Sequence, residues 1–300
     1  MSKGLLDPKV DFVFKNIFGS PNHPEILISF LNATLKAKKK IVNVDIKKTD
    51  IEKQYIEDKY SRLDVKATTS NDEIINIEIQ LKNENNMVKR SLYYLSKMYE
   101  EQLNEKEDYS KLVRTVCINI LNFKYLKTDN FHTGYRFKEI ESNEELTDIM
   151  EVHFIEIPKL QDSSDEKDML VAWTEFLKDP ESEKVRGLEL SIEEIRQAKD
   201  ELIRMSNDST QRELYDMRAN SLRDKMSELN AAERKGIEKG REEGREEGRK
   251  EGIEEGRKEG IEEGRKEEKI KIARNMKLSG LDTNTIAKVT NLSEDEIDKL

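Results

Sequence analysis

The fold is decided by residues 60–82, which read YSRLDVKATTSNDEIINIEIQLK. Apolar and polar residues alternate along the first arm, 60–68, and again along the second arm, 75–82. Between the arms lies Ser70-Asn71-Asp72, a cluster of residues that favour turns. A period of two on both sides of a turn predicts a β-hairpin in which each strand buries one face.

The predicted pairing brings two acidic residues together. If the hairpin folds about Asn71, Asp64 lies directly opposite Glu78, on the same face of the ribbon. Directly opposed residues have Cβ atoms only about 4.5–5.5 Å apart, and like charges at that distance destabilise a sheet. A divalent cation would remove the conflict, and magnesium accepts one or two carboxylates, with water and substrate phosphate as its other ligands.

The same face also has a simpler interpretation. The two acids could form part of an ordinary polar surface, where they lean toward Arg62, Lys66 and Lys82. The hairpin pattern by itself leaves both interpretations open.

Further helices and strands are predicted around the hairpin. The helices are predicted at 12–18, 24–35 and 87–104, and the strands at 41–46, 50–56, 112–121, 131–140 and 150–157. The order helix, hairpin, helix, strand indicates an α/β or α+β domain over residues 1–160.

Composition and charge exclude several classes of protein. The chain has one cysteine, Cys117, in an apolar run, which excludes a disulfide framework, and its three histidines lack the spacing of zinc ligands. No run of about 20 apolar residues could span a bilayer, so we expect a soluble, cytoplasmic protein without a membrane partner. The net charge is −10, yet residues 1–100 hold 17 Lys and Arg against 14 Asp and Glu, which permits polyanion binding there.

A set of short motifs supports a family resemblance. In order, they are Asp11-Phe12-Val13-Phe14-Lys15, Phe18-Gly19, Leu31-Asn32, Asp64, Ile77-Glu78-Ile79-Gln80, Arg90 with Tyr93-Tyr94, and His153-Phe154-Ile155-Glu156-Ile157-Pro158-Lys159. Over residues 5–160 the chain resembles the Rpn family of recombination-promoting nucleases and transposase-like proteins, a branch of the PD-(D/E)XK nuclease superfamily. The resemblance implies a restriction-endonuclease-like α/β core, a central mixed sheet flanked by helices, here followed by a helical C-terminal tail.

The resemblance also implies a chemistry. It implies magnesium-dependent cleavage of DNA, with Asp64 and Glu78 as metal ligands and Gln80 as the third catalytic position. The superfamily usually has lysine where Gln80 stands, and an amide can only hydrogen-bond and position a water or phosphate. Lys82, two residues on and on the same face, could supply the missing cation, or it could be a solvated lysine at a strand end.

Two pairs of residues could support the site. Asp11 and Lys15 lie four apart on a helix, where the acid could complete the metal site or the pair could be a surface ion pair. Arg90 and Tyr94 are also four apart, and Arg90 could bind a phosphate. Alternatively, Tyr93 and Tyr94 are helix-packing residues with a polar tip.

The rest of the chain reads as a charged helical tail. A helical extension is predicted at 161–230, and at 231–268 a glycine recurs every fourth residue from Gly236 to Gly264. Each glycine destabilises a helix by nearly 1 kcal/mol relative to alanine, whereas each Glu–Lys pair four residues apart stabilises it by only about 0.2–0.5 kcal/mol. An isolated helix there should be marginal, so we expect a semi-rigid spacer that could self-associate.

The last segment, 269–300, resembles a helix-turn-helix. Its second short helix would carry Glu294, Asp295, Glu296 and Asp298, which DNA phosphates would repel, so a protein-contact or capping role is favoured over DNA binding.

For the whole chain, the sequence predicts a magnesium-dependent DNA endonuclease that could promote recombination. The alternative is a catalytically weak nuclease fold that acts as a DNA-binding or oligomeric scaffold.

Overall fold

The computed structural model describes residues 4–37, 39–47, 64–83, 85–165 and 167–300, apart from the side chains of residues 222 and 225. One mixed sheet contains the strands β1 (Val44–Lys47), β2 (Val65–Thr69), β3 (Ile74–Gln80), β4 (Thr115–Leu121), β5 (His132–Lys138) and β6 (Glu145–Glu156). The helices are α1 (Asp11–Phe18), α2 (Pro24–Leu35), α3 (Met87–Glu100), α4 (Met169–Lys178), α5 (Glu183–Glu189), α6 (Glu193–Asn207), α7 (Ser209–Leu278), α8 (Thr283–Thr290) and α9 (Glu294–Asp298).

The strand order in the sheet is β1-β2-β3-β4-β6-β5. Strands β1, β2 and β3 pair antiparallel in that order, and β4 is parallel to both β3 and β6. Strand β5 lies at the edge of the sheet and is antiparallel to β6. Helix α3 makes the crossover from β3 to β4, as a parallel pair requires. The predicted mixed sheet flanked by helices is confirmed.

The β2–β3 hairpin has the predicted register, because Val65 lies opposite Ile77 and Lys66 opposite Asn76. In the turn, Asp72 has a φ of 61°, a left-handed conformation that aspartate tolerates. The strand predicted at 50–56, and the start of the first arm with Arg62, lie outside the described residues.

The two faces of the sheet bury different residues. Ile75, Ile77 and Ile79 of β3 face the main apolar core, which α1, α2, α4 and α6 complete. On the opposite face, α3 packs over the sheet with a smaller cluster that includes Met87 and Leu95. All seven residues of β4 are buried, as expected for a strand covered on both sides.

The core does not end at residue 160, where the sequence analysis placed the domain boundary. Trp173 of α4 is fully buried, with its ring 5.3 Å from that of Phe18 in α1. Leu202 of α6 belongs to the same apolar core. The predicted helical extension therefore packs into the domain, and the first compact unit reaches Asp224.

The second compact unit begins at Lys225 and contains most of α7 together with α8 and α9. Here Ala273, Ile286, Leu292 and Ile297 form a small apolar core. The glycine repeats lie within the single helix α7, whereas an isolated helix of these repeats is expected to be marginal. Because these repeats continue an existing helix, they need no new nucleation step, although each glycine still costs nearly 1 kcal/mol relative to alanine.

None of the helices in the described part of the chain combines the length and the apolar surface needed to cross a bilayer.

Candidate metal centre

Asp64 and Glu78 lie on the face of the sheet that α3 covers. Asp64 directly precedes β2, and the register of the hairpin places it opposite Glu78. The Ile79 N–H donates a hydrogen bond to Oδ2 of Asp64 at 2.7 Å. Lys66, the next residue of β2 on this face, forms an ion pair with Glu101 at the end of α3, with Nζ and Oε2 3.7 Å apart.

Glu78 is a buried carboxylate that lies beside a cation, Arg90. The residue is 1% exposed, and its Oε2 is 3.4 Å from Nε of Arg90 in α3. Neither oxygen of Glu78 accepts a hydrogen bond from any residue that the structure describes. Buried polar atoms are almost always hydrogen-bonded, so two such oxygens on one carboxylate need a physical explanation.

Burial dominates the electrostatics of both acids. It raises the pKa of Asp64 to about 7; the Ile79 N–H lowers this pKa, whereas the charges of Glu78 and Asp11 raise it further. Burial also raises the pKa of Glu78. The charge of Arg90 and the side-chain amide of Asn76 lower this pKa, although the amide is not placed to form a hydrogen bond with Glu78. At neutral pH the two acids therefore resist being charged together.

A layer of polar side chains lies beside Glu78 under α3. Asn119 of β4 is paired with Glu78 in the parallel register and is fully buried. Its Oδ1 is 2.9 Å from the Ser91 hydroxyl of α3, and its amide nitrogen donates to the His153 carbonyl at 3.1 Å. Burial raises the pKa of the neighbouring Cys117 thiol to about 12, which keeps this thiol protonated and unreactive.

The two carboxylates suit a hard divalent cation. They supply oxygen donors, and the unbonded oxygens of Glu78 are the groups that a cation would satisfy. Among the described residues, at this site as elsewhere, no group of three or more His, Cys, Asp and Glu is arranged to hold a metal ion. A cation at Asp64 and Glu78 would therefore take its remaining ligands from water and substrate, which is usual for magnesium.

Gln80 and Lys82 follow Glu78 along the same strand. Gln80 is half-buried on the same face as Glu78, and its backbone carbonyl oxygen accepts a hydrogen bond from the Asn122 backbone N–H at 2.9 Å. Lys82 is half-buried just beyond the end of β3. Of these two residues, only Lys82 carries a charge.

Arg90 and Tyr94 meet on α3 as their spacing predicted. The Arg90 guanidinium carbon lies 5.5 Å from the centre of the Tyr94 ring, in a cation–π contact. Tyr94 is 8% exposed, and burial raises the pKa of its hydroxyl. Tyr93, by contrast, is 55% exposed. Tyr94 therefore packs beside the site, whereas Tyr93 faces solvent.

Asp11 forms a contact that the sequence analysis missed. Oδ2 of Asp11 is 2.6 Å from Nη1 of Arg218 in α7, whereas the sequence pointed only to Lys15 as its neighbour. Asp11 is also near enough for its charge to raise the pKa of Asp64. No sequence pattern could reveal this ion pair, because its partners are 207 residues apart along the chain.

Comparisons with known proteins identify the family. A family model described as PD-(D/E)XK nuclease family transposase matches residues 8–232, and one described as the C-terminal HTH domain of the Rpn/YhgA-like nuclease family matches 266–300. No significant match is found among curated proteins or among solved structures. The first model covers most of the chain, including the sheet and the helices α4 to α6. The chain therefore belongs to the PD-(D/E)XK nuclease family transposases, in the Rpn group.

Proposed function

We propose that the chain is a magnesium-dependent endonuclease that hydrolyses phosphodiester bonds in DNA. The observation that carries the proposal is the pair Asp64 and Glu78, two desolvated acids on one face, with both oxygens of Glu78 unbonded among the described residues. Keeping two ionised acids side by side costs free energy in the metal-free protein, and a bound cation removes this cost.

The residues around the pair have distinct roles in this proposal. Asp64 and Glu78 would hold the cation, which when bound polarises a phosphodiester and lowers the pKa of an attacking water. Gln80 orients that water or a phosphate oxygen through its amide. Lys82 and Arg90 supply positive charge at the edge of the site, and the charge of Arg90 lowers the pKa of Glu78 against the larger effect of burial.

A cleavage assay with a matched control tests the proposal. Purified protein and supercoiled plasmid are incubated with MgCl2 or with EDTA, and nicking is followed on a gel. We expect Asp64→Asn to abolish magnesium-dependent nicking, whereas Asp45→Asn, which alters a 67% exposed acid of β1, leaves it unchanged. Equal nicking by the wild type and Asp64→Asn would assign the activity to another site or to a contaminant.

A second candidate is a catalytically weak nuclease fold that acts as a DNA-binding or oligomeric scaffold. Gln80 favours it, because an amide cannot stabilise developing negative charge as an ammonium does. DNA binding without magnesium-dependent nicking, together with calorimetry that shows no magnesium binding, would favour this candidate.

The C-terminal unit belongs to the same proposal. We infer that it supports DNA recombination by bringing together DNA and other copies of the chain. Each glycine from Gly236 to Gly264 has open space around the position of a Cβ, so a second helix could approach this stripe closely. Sedimentation of the full chain that shows a monomer at all concentrations would contradict the self-association.

A further inference from the structure

The loop between β4 and β5, residues 122–131, leaves the sheet beside the candidate metal centre. Gln80, which follows Glu78 by two residues on the same face, is paired in the parallel register with Leu121, the last residue of β4. The next residue, Asn122, donates its backbone N–H to the backbone carbonyl of Gln80 at 2.9 Å. The loop therefore begins in direct contact with a residue of the candidate centre.

The same loop packs against the start of α3. Tyr125 lies against the smaller apolar cluster, which contains Met87, the first residue of α3. The Tyr125 hydroxyl oxygen is also 3.5 Å from the backbone nitrogen of Val88. The first turn of α3 carries Arg90, whose Nε is 3.4 Å from Oε2 of Glu78. The loop thus contacts both elements that supply side chains to the candidate centre.

A buried ion pair holds the backbone of the loop. Glu156, at the end of β6, is fully buried, and its Oε1 accepts the backbone N–H groups of Tyr125 and Leu126. Its Oε2 accepts a hydrogen bond from Nζ of Lys159 at 2.6 Å. Lys159 Nζ also donates to the backbone carbonyls of Leu126 at 2.7 Å and Thr128 at 2.6 Å. Four backbone groups of one loop are therefore fixed by one pair of side chains.

This arrangement is costly unless the position of the loop matters. A buried ion pair is often no more stabilising than apolar residues of similar volume, because both charges must be desolvated. The loop that it fixes exposes Lys124 and Lys127, and neither lysine forms an ion pair with a residue in the described part of the chain. The loop has one acid, Asp129, so its charge is net positive. Two exposed cations on a fixed loop beside the candidate centre suit a polyanion.

We propose that this loop is a wall of the DNA site, in which Lys124 and Lys127 bind backbone phosphates and Glu156 and Lys159 are positioning residues. Phosphate contacts fix the register and orientation of a nucleic acid without reading its sequence. A fixed loop next to Gln80 holds the strand so that one phosphodiester lies at the candidate centre. This inference rests on the proposed nuclease function, and it names the segment that orients the substrate.

The first test measures DNA binding without cleavage. Full-length protein in EDTA is titrated into a short fluorescent DNA duplex, and anisotropy is recorded at several salt concentrations. We expect the variant with both Lys124→Gln and Lys127→Gln to bind about tenfold more weakly. The slope of log affinity against log salt should fall by about 2, or about 1 for each lysine. Lys138→Gln is the matched control, because Lys138 is an exposed lysine of the same sheet that is paired with Glu145, at the far end of β6 from the loop.

The second test separates positioning from stability. A double variant with Glu156→Gln and Lys159→Met removes both buried charges together, so no unpaired charge is left inside the protein. We expect its melting temperature to stay close to that of the wild type, while DNA binding weakens because the loop carbonyls lose their donor. Adding Lys124→Gln and Lys127→Gln to this variant should cause little further loss, because the lysines already lack a fixed position.

Three results would overturn the proposal: no DNA binding by the wild type, the same affinity and salt slope for the Lys124 and Lys127 variant as for Lys138→Gln, or full affinity after the loss of Glu156 and Lys159. If the variant that lacks the ion pair does not fold, the lysine variant and its control decide the proposal by themselves. Because nothing is cleaved in EDTA, failure of the nuclease proposal leaves these readouts unchanged. Magnesium-dependent nicking by the wild type, together with unaltered DNA binding by the lysine variant, would contradict this inference alone.

Discussion

Replacing Asp64 with asparagine is expected to stabilise the metal-free protein at neutral and alkaline pH. The carboxylate is desolvated and repelled by Glu78 and Asp11, and these effects outweigh the hydrogen bond from Ile79. Asparagine keeps the shape of the side chain, and its amide oxygen can still accept the Ile79 N–H. The substitution therefore removes the charge and preserves most of the packing.

The magnitude follows from the pKa of Asp64. A rise from the ordinary value of 3.8 to about 7 corresponds to at most about 4 kcal/mol against folding at high pH. Because Asp64 is only partly buried by surface area, we expect about half of this, or about 2 kcal/mol. For a domain of this size, that is a rise in melting temperature of about 4–8 °C.

The sign of the pH dependence is specific. Well below pH 3.8 the carboxyl group is neutral in both the folded and the unfolded state, so the two proteins should be equally stable. As the pH rises toward 7, only the unfolded chain loses the proton, so the wild type loses stability relative to the variant. Above pH 7 the full difference is present, and it remains constant.

Thermal unfolding in EDTA at several pH values measures this difference, with Asp45→Asn as the control for removing an exposed acid. Adding MgCl2 should stabilise the wild type by mass action and leave the variant unchanged. If Asp64→Asn unfolds at or below the wild-type temperature at pH 8 in EDTA, the acids do not oppose folding and the argument for a cation is refuted.

Three further predictions concern other parts of the structure. Arg90→Met leaves Glu78 buried without a neighbouring guanidinium. We therefore expect the free energy of unfolding in urea to fall by about 3 kcal/mol at pH 8. The decrease should be smaller at acidic pH, where Glu78 is protonated. Trp173→Ala should cost about 3–5 kcal/mol in the same measurement, and an unchanged midpoint would contradict a core that extends beyond residue 160. Gly252→Ala should stabilise α7 by nearly 1 kcal/mol in far-UV circular dichroism melts, whereas Gly280→Ala, at a φ of +81°, should destabilise its turn by about 1 kcal/mol.

The hairpin shows how much of the site was predictable from local pattern. Alternation on both arms and turn residues at Asn71 and Asp72 set the register, and the register alone places Asp64 opposite Glu78. Strand β4 was predictable for a similar reason, because a continuous apolar run must be covered on both faces.

The helices were harder to interpret, because periodicity shows that a helix has an apolar face but not what covers it. The polar composition after residue 160 indicated an extension, yet Trp173 and Leu202 complete the main core. Within α3, Leu92 fits the apolar spacing but is 48% exposed, while Ser91 is buried because it bonds Asn119 across the interface.

The amino-acid sequence by itself determined the hairpin, its register and the meeting of two acids, because these depend on neighbours close along the chain. Only the tertiary structure decided the environment of those acids: Arg90 against Glu78, the polar layer under α3, and Arg218 against Asp11. These contacts join distant segments, and the burial that raises the pKa of Asp64 exists only once those segments have packed.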